Sequence, residues 1–420
     1  MNQLADMSSV STADLIAAGI LEIGDGYRAK NIELGDQGLP FARVQNLKDG
    51  FDFSDADRYP ESALGRVGAK VSQVGDCVLT TKGTVGRVGF VTSTTSRFVY
   101  SPQLSYWRSL DWSKLDTVFL RYWLHGPEFL EQCNSVKGAT DMADYVNLRD
   151  QRRMQITIPP LLTQCRIASI LSAYDDLIEN NIRRIQILEA MAQAIYREWF
   201  VEFRFPGHEG GRMVDSELGP IPEGWKILRL GDMVDVNARV IRGGNDLQDI
   251  NYIDISAVAQ GEFGWTNMEY AVAPGRARRL VASCDVIWST VRPNLRAYAL
   301  ICEPPSNCVA STGFAVLTAR AVPWSYLFAV VTTDAFVSYL VNHATGSAYP
   351  AVTGRTFEQA PLIVPDENSV AAFHRGVGPM HQLVAKLRSM SRNLRQTRDL
   401  LLPRLISGEI DVSGLDLGDV

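Results

Sequence analysis

Apolar residues recur every seven positions from Leu171 through Ile178, Ile185 and Ala192 to Trp199. A second row, Ile167, Tyr174, Asn181, Leu188 and Ile195, runs beside it at an offset of three. Two such rows put one apolar stripe along a long α-helix, the pattern of a coiled-coil seam. Pro159 and Pro160 suit a helix start, whereas Pro206-Gly207 cannot continue a helix and marks its end. A helix of roughly 40 residues spans about 60 Å at ~1.5 Å per residue, longer than a small domain is wide. It needs a partner to cover its stripe. Asn181 falls in the second row, where a buried polar side chain costs stability but fixes register.

On either side of this helix the pattern changes to short β-type runs between glycine-bearing turns. In the first segment these are Pro40 to Val44, Cys77 to Thr81, Arg87 to Val91 and Leu104 to Arg108, with a helical patch at Val118 to Gln132. After a connector rich in Gly and Pro, the same kinds of element return in the same order. Leu4, Asp6 and Met7 answer Leu230, Asp232 and Met233. Phe41, Val44 and Gly50 answer Tyr252, Ile255 and Gly261, and Asp76 answers Asp285. Arg87 answers Arg296, Ser101 answers Ser311, Leu120 and Phe129 answer Leu327 and Phe336, and Ile156 to Pro159 answer Leu362 to Pro365. The repeat predicts a second long helix after Pro365, and Phe373, Met380, Leu387, Leu394 and Leu401 lie seven apart there. The organisation expected is a first α/β unit over 1–158, a central helix over 159–205, a linker over 206–221, a second unit over 222–364, a C-terminal helix over 365–409 and a tail over 410–420. The fold class is α+β: two repeated α/β units separated by two long helices packed as an antiparallel coiled coil with pseudo-twofold symmetry.

Composition adds limits. With 420 residues, 46% apolar and 21% charged, the chain is ordinary for a soluble protein of two or three domains. Its N-terminal stretch lacks a basic segment followed by an apolar one, and no run of 18 apolar residues occurs, so a cytoplasmic protein without membrane contact is expected. Six cysteines without a C-x-x-C pair suggest buried thiols and no metal site. A formal charge of -6 confines any nucleic-acid binding to local clusters.

Four stretches carry a family resemblance. They are Ile158-Pro159-Pro160-Leu161 with Gln164, Arg166-Ile167 and Ile170-Leu171; Leu188-Glu189 through Trp199-Phe200-Val201 with Phe203; Gly219-Pro220-Ile221-Pro222-Glu223-Gly224-Trp225; and Leu401-Leu402-Pro403-Arg404-Leu405-Ile406-Ser407-Gly408-Glu409-Ile410. Over nearly its whole length the chain resembles the specificity (S) subunits of type I restriction-modification enzymes. The resemblance implies two target recognition domains, each reading half of a split double-stranded DNA sequence. It also implies paired helices that space them and dock two methyltransferase (M) subunits, with restriction/translocase (R) subunits as further partners. The chain departs from the pattern where the first domain lacks a Pro-x-Gly-Trp start, and where Val370 and Ala372 stand in place of Gln164 and Arg166.

Such a subunit has no active site, and the sequence offers none. Glu303-Pro304-Pro305-Ser306 lacks both the amide and the aromatic of an Asn/Asp-Pro-Pro-Phe/Tyr methyltransferase motif. No Asp/Glu-x-Lys precedes any lysine, and no G-x-x-x-x-G-K-S/T occurs. The glycines Gly83, Gly86 and Gly89 lie between two β-type runs and open no helix, unlike a phosphate cradle. His374 and His381 read as solvated or seam-flanking rather than as metal ligands. No cofactor is expected on this chain; S-adenosylmethionine, ATP and magnesium are expected on the partner subunits.

Recognition requires cations for phosphates, and amides or guanidinium groups for base edges. Arg276, Arg278, Arg279, Arg292, Asn294 and Arg296 cluster in the second unit with only Asp285 as an acidic neighbour in sequence. Arg43, Gln45, Asn46, Lys82 and Arg87 occupy the corresponding loops of the first. The short polar loops around Lys137 and Thr140, and around Ser347 and Tyr349, complete the candidate DNA contacts. Two other readings use the same features: an orphan DNA-binding decoy without a methyltransferase, and a protein-protein scaffold built on the helices. Co-purification of a methyltransferase separates the first, and salt-sensitive DNA binding separates the second.

Overall fold

A computed structural model describes residues 8–48, 50–136, 145–242 and 247–415. The chain divides into two compact units, residues 1–179 with 392–420, and residues 180–391. Each therefore contains part of both long helices, Leu161–Tyr196 (the central helix) and Glu367–Ile406 (the C-terminal helix).

In the first unit, Leu21–Asp25, Leu104–Ser109, Cys77–Thr80 and Val88–Phe90 form an antiparallel sheet in that order. Leu104–Ser109 is buried at every position because both faces are covered. Leu104 and Tyr106 point into a cluster with Phe98 and Tyr100, while Trp107 packs with Trp123 and Phe129 on the other side. A smaller sheet (Arg58–Tyr59, Leu39–Ala42, Val99–Tyr100) adjoins the first. The unit's two ends are clipped together where Ser8–Ser11 pairs with Gln155–Ile158. The helical patch expected at Val118 to Gln132 is two helices, Thr117–Trp123 and Pro127–Val136, broken at Gly126-Pro127, where proline supplies no amide to continue the ladder.

The second unit repeats this order. Val234–Val236, Phe314–Ala319, Val286–Ser289 and Tyr298–Leu300 make the main sheet, and Lys226–Arg229 pairs with Pro361–Val364. The companion sheet is Thr266–Glu269, Asp249–Ile253, Cys308–Ser311 and Ala277–Leu280.

These registers correct two correspondences. Ser8–Ser11 answers Lys226–Arg229, so the helix at Thr12–Ala17 answers Leu230–Met233, with Leu15 and Met233 buried alike. Leu4, Asp6 and Met7 lie outside the described residues. The hairpin pairs Leu79 with Val88 in the first unit and Trp288 with Tyr298 in the second, so the second loop is one residue longer. Gly86, not Arg87, therefore occupies the place of Arg296.

Within each unit the two helices run antiparallel. In the first, Arg398 pairs with Asp175 at 2.5 Å, and Leu171 shares a core with Leu402, Leu405 and Ile406. In the second, Arg388 pairs with Glu189 at 2.8 Å, Ile185 packs with Val384 and Leu387, and Phe200 meets Phe373 at 5.1 Å. Leu171, Ile178, Ile185, Phe373 and Leu387 are buried, whereas Leu188, Ile195, Trp199, Met380 and Leu394 are half-buried. Leu401 is half-buried too, and Leu402 takes the core position. A straight helix drifts about 20° per heptad from a strict seven-residue repeat, so four heptads after Phe373 the stripe has moved on by nearly one residue. Asn181 is buried as its row requires. His381 is not solvated: it is 8% exposed, against Trp324 and Phe328. The stretch after the central helix folds back, and Trp225 packs against Phe200, Phe203 and Phe205.

Candidate nucleic-acid interface

In the second unit the loop Thr290–Arg296 joins two strands of the main sheet. Pro293–Leu295 forms a tight turn, and the residues flanking it, Arg292 (φ 50°) and Arg296 (φ 54°), are both left-handed. A neighbouring loop holds it. The Arg292 amide donates to the Pro350 carbonyl at 2.7 Å, the Val352 amide donates to the Thr290 carbonyl at 2.8 Å, and Val291 bridges Ala351. On this frame the Arg292 guanidinium lies over the Tyr349 ring, 4.6 Å from its centroid, and Tyr349 is 68% exposed. Asn294, Leu295 and Ser347 are exposed beside it. The turn at Thr312-Gly313 connects this group to the Arg276 strand, because the Thr312 amide donates to the Arg276 carbonyl and the Thr290 amide to the Gly313 carbonyl, each at 2.8 Å.

The arginines are not equivalent. Arg276 donates to Asp254 at 2.6 Å and to the Tyr252 hydroxyl at 3.1 Å, and Arg296 is paired with Asp334 at 2.5 Å. Asp285 is the acidic neighbour in sequence, and in space strands far apart in the chain bring Asp254 and Asp334 in as well. The Arg279 Nε is buried without a hydrogen-bond partner, and burial pushes its guanidinium pKa down. The Arg278 Nε donates to the Gly275 carbonyl at 3.1 Å. Among the described residues, Arg278 and Arg292 have no carboxylate within ion-pair distance.

The first unit places its candidates on the corresponding loops. Thr81 and Lys82 meet Tyr145 and Val146, as Thr290 and Val291 meet Ala351 and Val352. Lys82, Gln45 and Arg87 are exposed, and Arg87 reaches the Leu47 carbonyl at 3.4 Å. Arg43 is paired with Asp57 at 2.6 Å. Asn46 is 4% exposed, its carbonyl accepting from the Arg43 amide and its Nδ2 donating to the Asp52 carbonyl. It holds the turn Val44–Asn46 together and is withdrawn from base contact, because its amide is buried and turned into its own loop. Lys137 and Thr140 lie outside the described residues. Tyr145, half-exposed beside Lys82, is an addition that only strand pairing reveals.

Residues 18–190 match the type I restriction modification DNA specificity domain. The chain is similar to type I restriction enzyme specificity subunits. Over 276 residues, 63% of its length, it is 25% identical to the type I restriction enzyme MjaIX specificity subunit of Methanocaldococcus jannaschii, and it spans 62% of that protein's length. It is 23% identical over 317 residues to the HindI specificity subunit of Haemophilus influenzae, of which it spans 69%. The likeness of fold covers more of the chain: a crystal structure of the type I restriction-modification S subunit from M. genitalium aligns with 95% of this chain and 96% of its own, with a TM-score of 0.59 at 13% identity.

Proposed function

We propose that the chain is the non-catalytic DNA-specificity subunit of a type I restriction-modification complex. Each unit reads one half of a bipartite duplex target. The two long helices serve as spacer and as docking surface for two methyltransferase subunits, and the assembled complex recruits restriction/translocase subunits. S-adenosylmethionine, ATP and magnesium chemistry belongs to those partners. The observation that carries this reading is the repeat itself: two units of one element order, each presenting exposed cations on a pair of hydrogen-bonded loops and each leading into a long helix. At a net charge of -6, binding rests on these local groups, with Lys82, Arg87, Arg278 and Arg292 the least neutralised of them.

The test is modular exchange. Replacing residues 1–158 with the first recognition domain of another specificity subunit, and sequencing the methylome of cells that also express the cognate methyltransferase, is expected to change one half of the methylated motif and leave the other intact. A motif in which both halves change together would overturn the assignment of one reader per unit.

A further inference from the structure

We infer that Arg292 is the residue through which the second unit reads a guanine, that Tyr349 braces it, and that the first unit has no contact of this kind. The inference rests on the DNA-recognition reading above and adds a base and a residue to it. Among the described cations of the Arg276–Arg296 stretch, Arg292 is set apart by combining three features. Its guanidinium is exposed, with no carboxylate near it among the described residues. It lies over an exposed aromatic ring, and its backbone is anchored by the hydrogen bond to Pro350 and by the bridge at Val291. It also occupies a left-handed conformation, which costs a non-glycine residue about 1–2 kcal/mol.

Non-glycine strain of this kind collects at binding sites, where the surrounding structure enforces it. A guanidinium fork grips a phosphate as well as a base edge, and the sequence and salt dependence of binding separate the two. A fixed guanidinium fork matches the paired acceptors O6 and N7 of guanine in the major groove. Arg296 does not fit the role, because Asp334 already occupies it. At the position equivalent to Arg292 the first unit has Gly83, with φ of 83° and no side chain. The loop shape is repeated, but the reading group is present once.

The experiment enriches bound duplexes from a randomised pool, using the full chain co-expressed with its methyltransferase partner. Arg292→Gly places in the second unit the residue that the first unit carries in the same conformation, so the loop is expected to keep its fold. It is expected to lose preference at one G·C position of one half-site, with binding to the parent sequence down about 10- to 100-fold and the other half unchanged. Arg292→Gln is expected to move that same position from G·C toward A·T, because a side-chain amide matches the N6 and N7 of adenine. Tyr349→Phe keeps the ring and is expected to enrich the parent motif. Loss spread evenly over all sequences with a shallower salt dependence would make Arg292 a phosphate contact and overturn the inference, as would an unchanged motif in both Arg292 variants. A parent chain that enriches a split motif while the Arg292 variants leave it intact overturns the inference alone. A parent that enriches no sequence overturns the recognition reading as well.

Discussion

The two units share a backbone and differ in what they hang on it. At three equivalent left-handed positions the first unit has Gly75, Gly83 and Gly86, and the second has Cys284, Arg292 and Arg296. The turn that begins at Arg43 in one begins at Asp254 in the other, with the paired charges reversed: Arg43 with Asp57, Asp254 with Arg276. Where Arg121 and Tyr122 hold Asp175 in the first unit, Phe328 and His381 meet ring to ring in the second. Sheet registers and glycine-like turns tolerate such exchanges because they depend on main-chain hydrogen bonds. Side chains on the loops are then free to diverge, which is what two readers of different half-sequences require.

The largest expected contrast lies in the buried acid that both units retain. Asp76 is fully buried, and it accepts from Arg108 Nε at 2.6 Å, from Arg108 Nη2 at 2.9 Å and from the Tyr100 hydroxyl at 2.6 Å. The Arg108 side chain is itself only 8% exposed. Asp285 is equally buried, but its partner Arg239 is 40% exposed and reaches in from solvent. Removing one member of a buried pair strands the other charge and costs about 3–5 kcal/mol, whereas an exposed partner returns to water. Asp76→Ala leaves the buried Arg108 with Glu22, at 3.1 Å, as its remaining carboxylate, and is expected to destabilise the first unit toward the lower end of about 3–5 kcal/mol. Asp285→Ala is expected to cost the second about 1–3 kcal/mol, mainly through the lost bonds to Thr318 and the Ala282 amide. Peptide-resolved hydrogen exchange in urea reads each unit separately, and equal losses would break the contrast.

Next comes acid sensitivity. Burial, with a smaller contribution from Arg388, pushes the His381 imidazole down to about 4 from an ordinary 6.5. Between those values the unfolded chain binds the proton and the folded one does not. Stability of the second unit consequently falls as pH drops from 6.5 toward 4, by about 3 kcal/mol at 1.36 kcal/mol per pH unit. Glu189 works the other way, since burial raises its pKa against the opposing pull of Arg388, and uptake of its proton favours the folded state. For Asp175 burial is the largest influence and raises the pKa, but the Tyr122 and Arg398 hydrogen bonds and the Arg121 charge together outweigh it, and the net shift is downward. Its contribution to the first unit is thus retained above the ordinary carboxylate range and lost only below it. His381→Phe is expected to flatten the second unit's loss between pH 6.5 and 4 and leave the first unit's profile alone. An unchanged slope in the second unit would show that another group governs it.

Much of the architecture was legible because it rests on periodicity. The rows through Leu171, Ile178 and Ile185 and through Phe373 and Leu387 mark helices whose buried faces lie where a seven-residue repeat puts them. Pro379 did not break the second, since a proline inside a helix removes one hydrogen bond and a long packed face outweighs it. The seam's exit at Leu402 was not legible, because the drift of a straight helix accumulates only over several heptads. The site was less legible than the fold. The partners of Arg276 and Arg296 were not legible because Asp254 and Asp334 lie 22 and 38 positions away in sequence. One extra residue in the Thr290–Arg296 loop misaligned Arg296 with Arg87, and only the strand registers expose it.

That realignment carries the smallest prediction, and it bears directly on the opening comparison. If Gly86 and Arg296 share one backbone position, exchanging side chains there should cost conformational energy in opposite directions. At Gly86 an added Cβ meets nothing within 4 Å, so the only penalty of Gly86→Ala is its φ of 95°, and about 1–2 kcal/mol of destabilisation is expected in the first unit. Arg296→Gly relieves the same kind of strain in the second unit. It also gives up an ion pair to Asp334, which is 85% exposed and worth at most about 1 kcal/mol. Glycine's greater freedom in the unfolded chain offsets a further part of the gain. The net change for Arg296→Gly is therefore expected within about 1 kcal/mol of zero. Chemical denaturation of both variants against the parent measures the pair. A first-unit variant as stable as the parent would show that the Gly86 turn relaxes when substituted. A second-unit variant losing several kcal/mol would show that Arg296 holds its loop through more than the bond to Asp334, and the correspondence between the two turns would then be one of path without one of strain.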